Sequence, residues 1–245
     1  GAVISWIDKR NGVDYDLYAQ RVDSSGNLLW NANGVLVCNA IGDQSATDIH
    51  SNPKTNGVII TWKDKRNGLD YDIYAQKLNM NGVAQWTSNG VVICSSTGDQ
   101  LNPNISGDNT GGAVITWQHF NGTDYDVRTQ RINTNGIVQW AANGVNVCNA
   151  IGAQTSPKHI SDGYGGGIYA WEDSRSGQPD IYCHHIYYDG FNIGIQEENI
   201  LMNSNCFPNP FTNLLTINYT LKQNEKIPIH VLDAEGRMVA NISTL

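Results

Sequence analysis

The sequence is poor in charge, and above all in positive charge. Lys and Arg together number 15 against 23 Asp and Glu, so charged residues make up 16% of the chain and the formal net charge is −8. Binding to phosphate relies on clustered Lys and Arg, and the sequence contains no such cluster. Nucleic acid is therefore not an expected partner.

Long apolar runs and contiguous catalytic motifs are missing as well. No run approaches the roughly 20 apolar residues that span a bilayer, so no transmembrane segment is expected. The chain has no His-Glu-x-x-His, Gly-x-Ser-x-Gly, P-loop or Gly-rich dinucleotide motif. Since no catalytic constellation is visible, the sequence leans against an enzyme.

What the sequence does contain is a repeat. The pattern Trp-x-Asp-x-Arg-x-Gly-x-Asp-Tyr-Asp returns about every 55 residues. Its successive copies begin at Trp6, Trp62, Trp117 and Trp171. Self-similarity at a fixed period is the signature of an array of like structural units.

Each copy predicts four short strands separated by Asn-Gly and Gly-Gly turns, which are strong hairpin signals. In the third copy we expect strands over Asn102–Ser106, Ala113–Trp117 and Asp126–Ile132, and a fourth that carries Val138 and Trp140. The second strand of a copy, such as Val58–Trp62, is apolar on both faces and needs neighbours on both sides. Sheets arranged radially supply them, so the fold class is all-β, a β-propeller-type array of four-stranded blades.

The repeats and the end of the chain predict a domain order. We expect about four repeats of roughly 55 residues, part of a larger propeller, then a small β-sandwich-like C-terminal domain. The chain starts in the middle of a blade, so further blades are expected upstream. The predicted ranges are blade 1 at 1–43 without its first strand, blade 2 at 44–99, blade 3 at 100–153, blade 4 at 154–200, a linker at 201–206 and the C-terminal domain at 207–245.

The loop after the second strand is rich in oxygen ligands. Carboxylates and amides lie within nine residues in the first two copies, a possible calcium site because Ca²⁺ binds six to eight oxygens at loose geometry. The alternative is a loop closed by its own hydrogen bonds, with Asp8 paired to Arg10. The possible calcium ligands are Asp8, Asn11, Asp14, Asp16, Asp64, Asn67, Asp70 and Asp72.

Copies three and four depart from this loop, and departures from symmetry are where a ligand site is expected in a repeat protein. The candidate ligand-binding residues are His119, Arg128, Glu172, His184 and His185. Adjacent residues on a strand point to opposite faces, so His184 and His185 are not expected to bind one metal ion. Cys38, Cys94 and Cys148 recur with the repeat and are expected to be small buried hydrophobic residues.

The last part of the chain carries a different pattern. Cys206-Phe-Pro-Asn-Pro-Phe leads into a strand of period two, and Val231-Leu-Asp-Ala-Glu-Gly-Arg-Met-Val follows it. This combination resembles the C-terminal sorting domain of proteins exported by the type IX secretion system of Gram-negative bacteria. The resemblance covers Phe207 to Leu245, which we interpret as the first half of that domain. Its motif residues here are Pro208, Asn209, Pro210, Asp233, Gly236 and Arg237.

The resemblance implies an extracellular or outer-surface location and the type IX translocon as a partner, and the repeats resemble propeller repeats of large secreted bacterial proteins. The sequence favours a non-catalytic binding or adhesion module that contacts glycans or other extracellular polymers. A second hypothesis is the accessory or catalytic part of a secreted hydrolase, with His119, Arg128 and Glu172 as candidates. A third is a structural component of an extracellular stalk or filament.

Overall fold

The structure, a computed structural model, describes residues 1–52, 54, 57–191, 201–207, 216–221, 228–232 and 238–243. Every regular element in these ranges is a strand. The described residues therefore contain no helix long and apolar enough to cross a membrane. The chain divides into two units, Gly1–Gly194 and Ile195–Leu245.

The first unit is built from antiparallel meanders. Blade 1 consists of β1 (Ala2–Asp8), β2 (Asp16–Val22) and β3 (Val35–Cys38). Blade 2 consists of β4 (Gln44–Asn52), β5 (Gly57–Asp64), β6 (Asp72–Asn79) and β7 (Val91–Cys94). Blade 3 consists of β8 (Gln100–Gly107), β9 (Ala113–Phe120), β10 (Tyr125–Ile132) and β11 (Val145–Cys148). Blade 4 shows β12 (Gln154–Ser161), β13 (Gly167–Asp173) and β14 (Asp180–Ile186) in the described residues.

The first strands of consecutive blades lie side by side, β4 against β8 and β8 against β12. They therefore line the inner side of the array, and the later strands of each meander lie progressively further out. This arrangement confirms the predicted all-β, propeller-type fold.

The core of the first unit consists of apolar layers between blades. In β5, Val58, Ile60 and Trp62 pack with residues of blade 1, whereas Ile59 packs with residues of blade 3. The strand is buried along both faces. The apolar character of both faces in the sequence therefore has the predicted cause, namely a neighbouring sheet on each side.

One strand prediction was wrong. The fourth strand of blade 3 is β11, while Trp140 lies in the preceding loop and Val138 forms only an isolated bridge to Ile132. The amide of Gln130 explains this, because its Oε1 accepts from Trp140 N and its Nε2 donates to the carbonyl oxygen of Ala141. This segment thus pairs with a side chain instead of a strand.

The second unit contains two pairs of antiparallel strands in its described residues. β15 (Leu201–Phe207) pairs with β16 (Thr216–Leu221), and β17 (Pro228–Leu232) pairs with β18 (Met238–Ser243). The linker predicted at 201–206 therefore lies within a strand, because a later segment of the chain supplies its pairing partner. The six sorting-motif residues named above lie outside the described residues.

Candidate functional site

A buried ion pair follows the second strand of blade 2. The Asp64 side chain is fully buried and accepts hydrogen bonds from Trp62 Nε1 at 2.8 Å and from Arg66 Nη2 at 2.6 Å. The guanidinium of Arg66 lies 3.6 Å from the ring centroid of Tyr74, the cross-strand neighbour of Trp62. Trp, Asp, Arg and Tyr thus form one cluster that ties the end of β5 to β6.

The same cluster recurs in blades 1 and 4. It is formed there by Trp6, Asp8, Arg10 and Tyr18, and by Trp171, Asp173, Arg175 and Tyr182. Its cysteine neighbour also recurs, since Arg66 Nη2 lies 3.3 Å from Cys38 Sγ and Arg175 Nη2 lies 2.9 Å from Cys148 Sγ. A feature present in three blades serves the shared architecture.

Acid should weaken the cluster of blade 4. Burial alone would raise the pKa of Asp173, but hydrogen bonds from Arg175 and Trp171 outweigh it and lower this pKa from 3.8 to about 2. A lowered folded-state pKa contributes stability above pH 4 that is lost as the pH falls towards 2. We expect the wild type to lose more stability than Asp173→Asn between pH 4 and pH 2, measured by urea unfolding across this range. Parallel losses in the two proteins would contradict the assignment.

The cluster differs in blade 3. His119 stands where the other blades have aspartate, and Arg128 stands opposite Trp117 where they have tyrosine. Burial, and next the charge of Arg128, lower the pKa of His119 to about 4, so its imidazole is neutral at pH 7. The structure therefore brings together two of the residues that sequence symmetry singled out.

The other candidate ligand-binding residues lie apart from this pair. Glu172 is exposed on β13, where Thr155 Oγ1 lies 3.5 Å from its Oε2. His185 Nε2 lies 2.9 Å from Asp162 Oδ2, whereas His184 Nε2 is buried without a partner among the described residues. Burial, followed by the charge of His185, lowers the pKa of His184.

The polar loop predicted to hold calcium acts as a clamp between blades. Asn11 Nδ2 donates to Asp14 Oδ1 at 2.6 Å and to Asp16 Oδ2 at 3.1 Å. The second oxygen of Asp14 accepts from Gly42 N at 2.8 Å, just before the first strand of the next blade. The same contacts recur in blade 2 through Asn67, Asp70, Asp72 and Gly98, and in blade 3 through Asn121, Asp124, Asp126 and Gly152.

Calcium binding by these loops stays a prediction. Asp16 Oδ1 and Asp72 Oδ1 are buried and have no hydrogen-bond partner within the described ranges. Burial, followed by the charge of Asp70, raises the pKa of Asp72 to about 6. A cation would satisfy these oxygens, although the described residues contain no group of three or more His, Cys, Asp or Glu side chains that could hold a metal ion. If calcium binds, EDTA will lower the melting temperature and calcium, but not sodium, will restore it. An unchanged melt would leave the hydrogen bonds as the full account of the loop.

A depression lies where the first strands of three blades come together. Ala46, Asn102 and Ser156 occupy equivalent positions and have φ values of 49°, 54° and 54°, in the left-handed region. Each marks a bulge where pairing with the second strand shifts register. The depression has a volume of about 290 Å³ and is lined by Ala46, Thr47, Asn102, Pro103, Ser156, Pro157 and Lys158. We call it the axial depression.

Sequence reasoning missed the axial depression. The available signal was proline at 103 and 157, because proline inside a strand marks a bulge or an edge. Gln118 supports the bulges, since its Oε1 accepts from Asn102 Nδ2 and from Ser156 N of the next blade. The depression offers amide, hydroxyl and ammonium groups beside two buried prolines, a combination suited to a polar ligand.

Residues 205–245 match the family model described as a secretion system C-terminal sorting domain. The chain carries a sorting tail. This match confirms the resemblance to type IX cargo and implies passage through the type IX machinery to the cell surface or the exterior. The matched range begins at residue 205, two residues before the predicted start at 207.

Three solved structures are similar to this chain at low sequence identity. An endo-arabinase from Bacteroides thetaiotaomicron VPI-5482 is 13% identical with a TM-score of 0.44, over 76% of this chain and 70% of its own. An alpha-L-arabinofuranosidase from Lactobacillus brevis is 11% identical with a TM-score of 0.42, over 78% and 71%. A structure named only as a glycoside hydrolase is 12% identical with a TM-score of 0.41, over 98% and 83%. No curated protein matches the chain.

These structures overturn the leaning against an enzyme. Their names are those of glycoside hydrolases, and none of them shares more than 13% identity with this chain. The missing sequence motifs do not argue against such an activity, because a glycosidase needs two carboxylates placed by the fold and not a contiguous motif. At these identities and TM-scores the likeness carries no further argument about this chain.

Proposed function

We propose that this chain is an exported carbohydrate-binding propeller that holds an extracellular polysaccharide at the axial depression. The observation that carries the proposal is the set of three equivalent bulges with left-handed backbone at Ala46, Asn102 and Ser156. Such conformations cost of order 1–3 kcal/mol each in non-glycine residues and cluster at ligand sites. Three of them here line one depression.

The chemistry of the depression supports a carbohydrate. The side chains of Asn102, Ser156 and Lys158 are exposed there and supply donors and acceptors for sugar hydroxyl groups. Sugars present many hydroxyl groups on a rigid ring, so several fixed polar groups in an open depression suit them. The sorting tail implies export, and an exported protein comes into contact with extracellular polysaccharides.

Glycan-array screening followed by calorimetry with the purified chain tests the proposal. Arabinan, galactan and polygalacturonate are the polymers to begin with, and chromatography of the same mixtures after incubation measures cleavage. We expect saturable binding of at least one polymer, weakened about tenfold or more in the double variant Asn102→Ala/Lys158→Ala, because each lost hydrogen bond to a polar ligand costs about 1 kcal/mol or more.

The matched control is Asn135→Ala/Lys9→Ala, which removes the same two residue types at exposed positions outside the axial depression. It should leave the affinity unchanged. Equal affinity in the wild type and in both double variants, with all three folded by circular dichroism, would contradict binding at the depression.

A further inference from the structure

In blade 3 the altered cluster contains hydrogen-bond donors for which the described part of the chain supplies no acceptor. In blades 2 and 4 the indole N–H of Trp62 and of Trp171 donates to an aspartate oxygen at 2.8 Å. Trp117 is fully buried, and its Nε1 has no partner among the described residues. A buried donor without an acceptor costs about 1–3 kcal/mol, so it calls for an explanation.

The cation in this cluster is also unpaired. Among the described residues, the Nε of Arg128 is buried without a hydrogen-bond partner and its guanidinium forms no ion pair. Asp126 lies on the same strand, but its Oδ1 accepts from Asn121 at 3.1 Å and it does not reach Arg128. In blade 2 the equivalent Asp72 coexists with Asp64, so Asp126 does not replace the lost aspartate.

A deletion in the loop accounts for the difference. Asp126 follows Trp117 by nine residues, whereas Asp72 follows Trp62 by ten. Asn121 takes the role of Asn67 in the clamp, so the residue lost from the loop is the arginine of the other clusters. Blade 3 therefore exchanges a neutral Asp–Arg pair for neutral His119 and cationic Arg128, whose guanidinium forms no direct ion pair among the described residues.

We propose that Trp117, His119 and Arg128 bind the carboxylate group of a ligand, a small carboxylic acid or an acidic sugar, at the level where an aspartate carboxylate lies in the other blades. Charge-assisted hydrogen bonds from a guanidinium, with the indole N–H as a further donor, are the means by which proteins hold carboxylates. Arg128 as a residue is half-buried, so its side chain is not wholly enclosed. The arginines of the clusters in blades 1, 2 and 4 are 37%, 22% and 36% exposed, so each of those clusters has one side open to solvent.

This site is separate from the axial depression. Gln118 faces the bulges of Asn102 and Ser156, and neighbouring residues on a strand point to opposite faces. Trp117 and His119 therefore project from the other face of β9, towards the core shared with blade 2. The proposal does not depend on the proposed function.

Titration of the intact chain with sodium acetate, followed through the indole and Arg Nε–H signals in ¹H–¹⁵N spectra, tests the site. Trp117→Phe identifies the indole signal, and ionic strength is held constant with sodium chloride. We expect the Trp117 and Arg128 signals to shift and saturate with acetate and with galacturonate, but not with neutral galactose. Acetate alone giving the response would assign the site to free carboxylic acids, and galacturonate binding more tightly would assign it to acidic sugars.

Two variants separate binding from folding. Arg128→Gln should weaken acetate binding about tenfold or more, because a hydrogen bond to a charged group is lost. His119→Asp returns a carboxylate to the cluster, so it should abolish the acetate response and raise the melting temperature. An unresponsive Trp117 signal in the folded wild type, or equal acetate affinity in Arg128→Gln, would overturn the proposal. Asn102→Ala/Lys158→Ala should leave the acetate response unchanged. This variant therefore tests the axial depression and the carboxylate site separately.

Discussion

Replacing Asp64 with alanine is expected to lower the free energy of unfolding by about 3–5 kcal/mol, the cost of removing one partner from a buried ion pair. Asp64 is fully buried, and four hydrogen bonds from Trp62 and Arg66 end on its two oxygens. Without the carboxylate, the Trp62 indole N–H loses its acceptor, and the Arg66 guanidinium beside Tyr74 keeps only one oxygen acceptor, the carbonyl oxygen of Asn89. Urea unfolding followed by tryptophan fluorescence measures the change.

Asp8→Ala is the matched control, since it removes the same residue from the same motif in blade 1. The pair it breaks is more exposed, with 37% of Arg10 and 25% of Asp8 open to solvent. Water solvates the released arginine there, so we expect a clearly smaller loss than for Asp64→Ala. Equal losses would show that the motif acts through local geometry at the strand end and not through burial of the charge.

Trp86→Ala is expected to cost about 3–5 kcal/mol, as large aromatic truncations in a core do. Trp86 is 9% exposed and packs in the core between blades 2 and 3. Its Nε1 donates to Thr134 O at 3.1 Å, in the Asn-Gly turn of the following blade. The variant therefore removes both the indole packed between blades 2 and 3 and its hydrogen bond to Thr134. Denaturant midpoints, with Trp86→Phe retaining part of the packing, separate these two contributions.

The turn that Trp86 contacts can be tested by substituting its glycine, Gly136. Gly136 has a φ of 79° and lies so close to Trp86 that an added Cβ would meet its Cγ at 2.8 Å. Gly68 has a φ of 74° and open space around it. Gly136→Ala should therefore destabilise more than Gly68→Ala, because both share the backbone strain and only the first adds a clash. Equal losses of stability would mean that the Trp86 side chain moves aside without an energetic penalty.

The local signals in this chain were sufficient for the class of fold. Asn-Gly turns, strands of period two and a second strand apolar on both faces, such as Val58–Trp62, depend on residues near one another in sequence. They predicted stacked sheets, and the two faces of β5 do pack in different layers. The position of the fourth strand was predicted wrongly, because Gln130 captures the segment around Trp140 through its side chain.

Symmetry in the sequence also found part of the candidate sites. It selected His119 and Arg128 as departures from the repeat, and the structure places both beside Trp117. It also selected Glu172 and His185, which lie elsewhere with partners of their own. A departure from the repeat shows that a position has changed, but not which neighbours it meets.

The sequence by itself determined that the chain is an array of β-sheet units followed by an export signal, since both follow from local patterns and spacing. Only the tertiary structure decided where ligands could bind. The left-handed residues Ala46, Asn102 and Ser156 come together because first strands of separate blades meet along the inner side. The unsatisfied Trp117 indole depends on the cross-strand register with Arg128 and on burial by the preceding blade. Both are contacts between residues distant in sequence, and a single sequence does not encode them in any local pattern.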